Sequence, residues 1–154
     1  MRNPLPGNLT GYRLNRTLHG KSVYRKADVP GHNVVRGYNN PGVGDALDPF
    51  CPAGTEVRAM HDGVITRVAD PGGRLSCIYI QGFDDNHTYL TVYAHLSLKP
   101  WVRLKVRVKA GQCIGYVGRK LKDPHLHLEI WVDGHSISAD TPRHLAERME
   151  ALID

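Results

Sequence analysis

The sequence of 154 residues has few cysteines, few aromatic residues and no long apolar run. Its three cysteines, Cys51, Cys77 and Cys113, stand far apart without a Cys-x-x-Cys pair, which argues against a disulfide scaffold and a cysteine zinc site. No segment approaches the ~18 apolar residues of a membrane-spanning helix, so we expect no membrane insertion. The first residues also lack the apolar stretch of a secretory signal, and we expect synthesis in the cytoplasm without signal-directed export.

The charge of the chain is moderate and leans positive. It has 20 Lys and Arg against 15 Asp and Glu, a net charge of +5, and 41% hydrophobic residues, a composition typical of one folded domain rather than a disordered chain. A mild positive charge favours anionic partners without choosing among nucleic acid, acidic lipid and bacterial wall polymers. Because interleaved exposed aromatic residues are missing, we expect no nucleic-acid partner.

Short alternating segments separated by turn signals dominate the chain after residue 40. They are rich in Val, Ile, Tyr and Thr, and Asp-Gly, Gly-Gly and Ala-Gly pairs lie between them, which predicts β-strands. They span residues 54–60, 63–69, 75–83, 88–96, 101–109, 112–118 and 125–132. Thr141 and Pro142 predict the start of a short C-terminal helix. We therefore predict an all-β fold: an irregular N-terminal arm at residues 1–40, and at residues 41–154 an antiparallel sandwich or barrel-like domain that includes the helix.

The segment PHLHLEIWVDG, residues 124–134, has the strongest chemical pattern among the nine histidines. Successive side chains of a strand alternate between its faces, so His125, His127 and Glu129 share one face. Two imidazoles on one face can serve one metal site, with one as a ligand and the other beside the metal-bound water. The alternative is a pair of polar histidines on a solvated face.

Two further segments contain residues with the same chemistry. His95 lies in the strand-like segment TVYAHLS, and Asp48 lies in GDALDPFCPAGTEV, just before a turn. Taken alone, His95 is better interpreted as a half-buried histidine that is satisfied within the fold. Asp48, taken alone, is consistent with an aspartate that caps a turn before proline.

Together, the blocks PAGTEVRAMHDGVITRV, YAHLS, VKAGQCIGYVG and PHLHLE resemble the lysostaphin-type, or LytM-like, zinc metallopeptidases over roughly residues 41–138. The resemblance implies an antiparallel β domain with a groove that holds one zinc ion, and cleavage of peptide bonds in bacterial peptidoglycan. It also implies that Asp48 and His127 are zinc ligands, and that His95 and His125 flank the zinc-bound water and stabilise the oxyanion. Glu129 is then the residue that fixes an imidazole tautomer.

The chain departs from this family at the first zinc ligand. That ligand is usually a histidine four residues before the aspartate, and the corresponding residue here is Gly44. Glycine has no side chain with which to bind zinc. Three residues are candidates to replace it: His32 on a loop upstream, Asp45 beside the vacated position, and His61 near a turn.

The resemblance leaves two functions open. One is an active zinc endopeptidase acting on peptidoglycan, for which a bacteriophage lysin or a virion tail-tip component, with other phage tail proteins as partners, is the expected setting. The other is a degenerate, non-catalytic module that keeps the fold and has a structural, wall-binding or regulatory role in an assembly. The presence of Asp48, His95, His125 and His127 favours the enzyme, and Gly44 favours the module.

Overall fold

A computed structural model gives the structure of residues 1–18, 45–70, 75–119 and 121–154. Within these residues lie ten strands, a short 3-10 turn at Leu9–Gly11 and one α-helix. The strands are β1 (Arg13–Leu18), β2 (Asp45–Phe50), β3 (Glu56–Arg58), β4 (Gly63–Ala69), β5 (Ser76–Phe83), β6 (Thr88–Leu98), β7 (Arg107–Val108), β8 (Cys113–Val117), β9 (His127–Val132) and β10 (His135–Ser136), and the helix α1 is Pro142–Glu150.

The strands form one antiparallel sheet in the order β1-β2-β9-β6-β5-β4-β7. Strand β6 is long enough to change partners, because its first part pairs with β9 and its last part with β8, which pairs in turn with β3. The short strand β10 extends β9 as a hairpin. The predicted all-β antiparallel fold with a C-terminal helix is confirmed.

The two faces of strand β9 contribute to different apolar clusters, and this determines which of its side chains are turned away from the main core. Leu126, Leu128 and Ile130 are fully buried in the main core. The alternate residues, His127, Glu129 and Trp131, therefore point to the other face of the sheet. A smaller apolar cluster lies on that face and contains Tyr79, Leu90, Val92 and Trp131.

The first residues of the chain belong to the folded body. Leu5 and Leu9 are buried in the main core, and all six residues of β1 pair with β2. The terminal amino group of Met1 donates to the carbonyl oxygen of Leu152 at 2.9 Å. A strand at residues 13–18 is not among the predicted elements, because RLNRTL has only two apolar residues to carry a periodic signal. The rest of the predicted arm, residues 19–40, lies outside the described residues.

The C-terminal helix begins as its sequence predicts. The Thr141 hydroxyl accepts a hydrogen bond from the backbone N–H of His144 at 3.1 Å, and Pro142 occupies the first helical position, where no N–H is needed. Leu145 and Met149 are buried against the sheet side of the molecule. Within the described residues, no helix is long and apolar enough to cross a membrane.

One predicted strand is much shorter than expected. Of residues 101–109, only Arg107–Val108 form a strand, at the edge of the sheet beside β4. The preceding residues form turns instead, with Lys105 in the left-handed region at φ 70°. Backbone hydrogen bonds from Val106 to Arg103 and from Lys105 to Ile65 hold these turns. The alternation of apolar and basic residues therefore overestimates the length of this strand.

Candidate active site

The central strands β2, β9 and β6 bring three of the predicted site residues together. In the antiparallel register Leu47 pairs with Leu128, so the adjacent pair, Asp48 and His127, lies on the opposite face of the sheet. His125, two residues before His127, forms an isolated bridge with Phe50 of β2. The strand alternation predicted from PHLHLE thus places His125 and His127 on one face, and the pairing of β2 with β9 brings Asp48 to the same face.

His95 reaches the same face through an irregularity in β6. Ala94 is the residue paired with His127, so a regular strand would point the next side chain away from the site. Two residues of β6 oppose one of β5 at this point, and His95 has φ 66°, the geometry of a bulge. The His95 ring centroid consequently lies 4.9 Å from that of His125 and 5.4 Å from that of His127.

The ring of His127 is fixed by the residue two positions further along β9. Its Nε2 is 3.0 Å from Oε2 of Glu129, and the indole N–H of Trp131 donates to the other oxygen of Glu129 at 3.2 Å. Because a carboxylate only accepts, Nε2 carries the proton and Nδ1 presents its lone pair. That lone pair faces Oδ1 of Asp48 at 3.6 Å.

The electrostatics of this pair suit a metal ligand. Burial lowers the pKa of His127 to about 4, with His125 acting in the same direction and Asp48 opposing it. The imidazole is therefore neutral near pH 7, which is the form that binds metal. Two donors that each sit ~2.0–2.2 Å from a tetrahedral zinc ion are separated by about 3.4 Å. The 3.6 Å between His127 Nδ1 and Asp48 Oδ1 fits such an ion.

His125 lies at the accessible side of this pair. Its Nδ1 is 2.9 Å from the carbonyl oxygen of Asp123 and so donates to it, which leaves Nε2 as an acceptor 4.0 Å from Oδ1 of Asp48. Its side chain is 20% exposed, whereas that of His127 is 7% exposed. An imidazole that is oriented by the backbone and open to solvent can accept a proton from a water molecule or return it.

The candidates for the missing ligand fall in different places. Gly44 and His32 lie outside the described residues. Asp45 uses its Oδ2 to accept from the Ser138 hydroxyl at 2.7 Å and faces Nη1 of Arg16 at 3.4 Å, on the face of β2 opposite to Asp48. The ring of His61 is hydrogen-bonded to the carbonyl oxygen of Asp62 and to the hydroxyl of Thr91, and the structure brings neither His61 nor Asp45 to the site. In the described part of the chain, no group of three or more His, Cys, Asp or Glu side chains is arranged to hold a metal ion.

Three residues around the site are not predicted by the sequence. The Phe50 ring is tilted against His125 at a centroid distance of 5.4 Å, and the guanidinium carbon of Arg13 lies 4.2 Å from the Phe50 ring centroid. Trp131 orients Glu129. The position of Trp131 follows from the alternation in β9, but those of Phe50 and Arg13 depend on pairing between distant strands.

The comparison with protein families identifies a family for most of the chain. The profile of peptidase family M23 matches residues 43–139. A curated relative, the DD-carboxypeptidase/endopeptidase Mpg of Neisseria meningitidis serogroup B, is 35% identical over 94 residues, which cover 60% of this chain and 21% of the relative. The chain thus spans about a fifth of the length of that relative.

Two solved structures share the fold. The catalytic domain of the antimicrobial peptidase lysostaphin from Staphylococcus simulans is 26% identical, with 90% of this chain and 95% of that chain covered and a TM-score of 0.50. A zinc-containing peptidase from Vibrio cholerae is 24% identical, with 92% of this chain and 41% of that chain covered and a TM-score of 0.55. The match to the latter is a likeness of fold.

Proposed function

The chain belongs to peptidase family M23, and from that premise we propose that it is a zinc metalloendopeptidase that cuts peptide bonds of bacterial peptidoglycan. The observation that carries the proposal is the convergence of Asp48 Oδ1 and His127 Nδ1, 3.6 Å apart, on a face that also holds two further imidazoles. The substrate class is supported by the names of the relatives, an endopeptidase with DD-carboxypeptidase activity and an antimicrobial peptidase.

Asp48 and His127 are the residues that would hold the zinc ion. The tautomer of His127, set by Glu129, presents Nδ1 to it, and the buried carboxylate of Asp48 supplies the negative charge. When bound, zinc polarises a carbonyl group and lowers the pKa of a bound water molecule toward ~7. For a further ligand the sequence offers His32, which lies outside the described residues.

The chain's own residues supply proton transfer and charge stabilisation. Nε2 of His125 is kept as a proton acceptor, because Nδ1 is engaged by the carbonyl oxygen of Asp123. His95 packs edge-on against both neighbouring imidazoles and stands on a bulge that fixes its backbone. We assign to His125 the removal of a proton from the attacking water, and to His95 a hydrogen bond to the carbonyl oxygen that becomes negative.

A bacteriophage lysin or virion tail-tip component, with other phage tail proteins as partners, is the setting that we propose for this activity. The net charge of +5 suits an anionic cell wall, which is the substrate in that setting. Detection of the protein in purified virions or in the lysate, by an antiserum raised against it, tests this part of the proposal. If the protein is found in neither the virions nor the lysate, the proposed phage setting is contradicted.

A degenerate module that binds the wall without cutting it is the second candidate. It is favoured by Gly44 at the position of a ligand, and by the lack of a three-residue metal group among the described residues. In this case the fold is kept and only the hydrolytic step is lost.

Digestion of purified peptidoglycan by the zinc-loaded protein separates the two candidates. We expect new amino termini, detected by mass spectrometry of the released peptides. His95→Ala should lower the rate about 100-fold or more while zinc content and fold are kept. His144→Ala, a change at an exposed histidine of α1, is the matched control and should have no effect.

Stoichiometric zinc without any hydrolysis would favour the module over the enzyme. Hydrolysis undiminished in His95→Ala would show that the role given to His95 is wrong.

A further inference from the structure

Strand β1 adds a positive charge to the candidate site, and we propose that Arg13 selects peptide substrates that carry a carboxylate two or three residues from the cut bond. The inference rests on the proposed function, since it concerns the substrate of the same site. Arg13 lies outside residues 43–139, the part of the chain that the family profile covers. The family match therefore assigns no role to Arg13.

The pairing of three strands places Arg13 in line with the site. Arg13 pairs with Phe50 across β1 and β2, and Phe50 pairs with His125 through an isolated bridge. Residues that face each other across neighbouring strands project from the same face of the sheet. Arg13, Phe50 and His125 therefore form a row that crosses the sheet on the face of Asp48 and His127.

The guanidinium of Arg13 is positioned by the Phe50 ring, and its charge is not paired with a carboxylate of the described residues. It lies over the Phe50 ring at 4.2 Å, an arrangement that orients the planar group and leaves its N–H donors at the edge available. The side chain is exposed, and within the described residues no carboxylate forms an ion pair with it. Arg16 lies on the other face of the same strand, and by contrast its Nη1 donates hydrogen bonds to Oδ2 of Asp45 and to the carbonyl oxygen of Ala139.

The spacing of the strands sets the substrate class. Neighbouring strands lie ~4.8 Å apart, so Arg13 stands about 10 Å from the position of His125 across the sheet. An extended peptide advances ~3.3 Å per residue and covers this distance in about three residues. A carboxylate at that point of a bound peptide would meet the fork of donors on Arg13, which matches carboxylate geometry.

Stem peptides of peptidoglycan provide the matched pair of probes. The glutamate of the stem pentapeptide L-Ala–D-Glu–L-Lys–D-Ala–D-Ala exists with a free α-carboxylate or with that carboxylate amidated. We would measure the dissociation constant of each fluorescein-labelled form by fluorescence anisotropy, and kcat/KM for cross-linked dimers of each form by chromatography. The wild type should prefer the acid form about fivefold in both measurements, the size expected for a partly exposed charge pair.

Arg13→Gln should remove the preference by weakening the acid form alone, and Arg13→Lys should keep part of it. Arg143→Gln, which removes an equal charge from the exposed surface of α1, should leave the preference unchanged. Equal preference in the wild type and Arg13→Gln overturns the inference, as does an equal loss in Arg143→Gln. If the wild type cuts neither dimer, the proposed function fails, and the role of Arg13 is then decided by the anisotropy measurement alone. A binding preference for the acid form that is lost only in the Arg13 variants supports the role of Arg13. A wild type that binds both forms equally refutes it.

Discussion

Two buried histidines, His61 in the turn before β4 and His127 in β9, use their ring nitrogens in different ways. Each is less than 10% exposed, and burial lowers the pKa of both. Nδ1 of His61 is 2.8 Å from the carbonyl oxygen of Asp62, and its Nε2 is 2.9 Å from the Thr91 hydroxyl. Both partners of His61 are uncharged. His127 instead faces a carboxylate at each nitrogen, Glu129 at 3.0 Å and Asp48 at 3.6 Å.

The difference separates a histidine that stabilises the fold from one that can bind a ligand. Neutral hydrogen-bond partners satisfy a neutral imidazole and leave it nothing further to bind. The fold also closes around His61, because a Cβ on Gly82 would lie 2.7 Å from its Nδ1, so that only glycine fits there. His127 has one nitrogen anchored and the other directed at a carboxylate oxygen, which is an arrangement for a cation. Burial alone does not distinguish the two residues, whereas the partner of the second nitrogen does.

The largest expected effect comes from removing the two rings in turn. His127→Ala should lower zinc affinity by at least about 100-fold and abolish hydrolysis, since it removes a ligand. His61→Ala should leave zinc affinity unchanged and lower the free energy of unfolding by about 1–3 kcal/mol, because the partners of its ring are left without hydrogen bonds inside the fold. Competition with a chromophoric chelator measures the first quantity, and urea unfolding of the metal-free proteins measures the second.

Unchanged zinc affinity in His127→Ala would show that His127 is not a zinc ligand. Loss of zinc in a folded His61→Ala protein would mean that His61 reaches the metal centre, against its hydrogen bonds to Asp62 and Thr91.

A smaller effect should follow from the residue that fixes the tautomer of His127. Glu129→Gln keeps the shape of the side chain but replaces the carboxylate that accepts from Nε2 with a neutral amide. Outer-shell changes of this kind weaken metal binding about 10–100-fold, and we expect zinc affinity to fall within that range. The matched control, Glu147→Gln on the exposed side of α1, should bind zinc as the wild type does.

Zinc affinity within twofold of the wild type in Glu129→Gln would show that the carboxylate does not tune this imidazole. A loss as large as that of His127→Ala would show that Glu129 has a larger role than orientation.

The part of the site that lies on regular strands could be predicted from the sequence. The alternation in PHLHLE places His125, His127 and Glu129 on one face, and the structure has them there because the period of two is a property of a single strand. His95 is different, because alternation would point it away from His127. Its position depends on the bulge opposite Cys77, which arises when β5, β8 and β9 all pair with the same long strand. Pairing of one strand with three others depends on distant segments, so the residues around His95 do not reveal the bulge in the sequence.

The remaining contributions come from contacts between distant segments. Arg13 joins the site only because β1 pairs with β2, and its strand has too few apolar residues to be recognised. The environment of His61 likewise depends on Thr91, thirty residues further along the chain. Its buried hydrogen bonds could not be read from the turn sequence around it. Whether His32 replaces the ligand lost at Gly44 stays a prediction.

The smallest effect is a difference in pH dependence between two histidines with opposite environments. Burial holds the pKa of His61 below 6.5, so in acid the unfolded chain binds a proton that the folded protein refuses. Stability should therefore fall as the pH drops below ~6.5, by up to about 1.4 kcal/mol per pH unit, and His61→Gln should remove this slope. The hydrogen bond to Asp133 raises the pKa of the half-exposed His87, so the small contribution of His87 to stability is present in acid and lost as the pH rises through that pKa.

Urea unfolding of the metal-free proteins at pH 7.5, 6.5 and 5.5 separates the two signs. Relative to the wild type, His61→Gln should gain stability toward pH 5.5 and His87→Gln should lose it. Because His127 titrates equally in all three proteins, its contribution cancels, and parallel curves for the wild type and His61→Gln would contradict the neutral, buried state of His61.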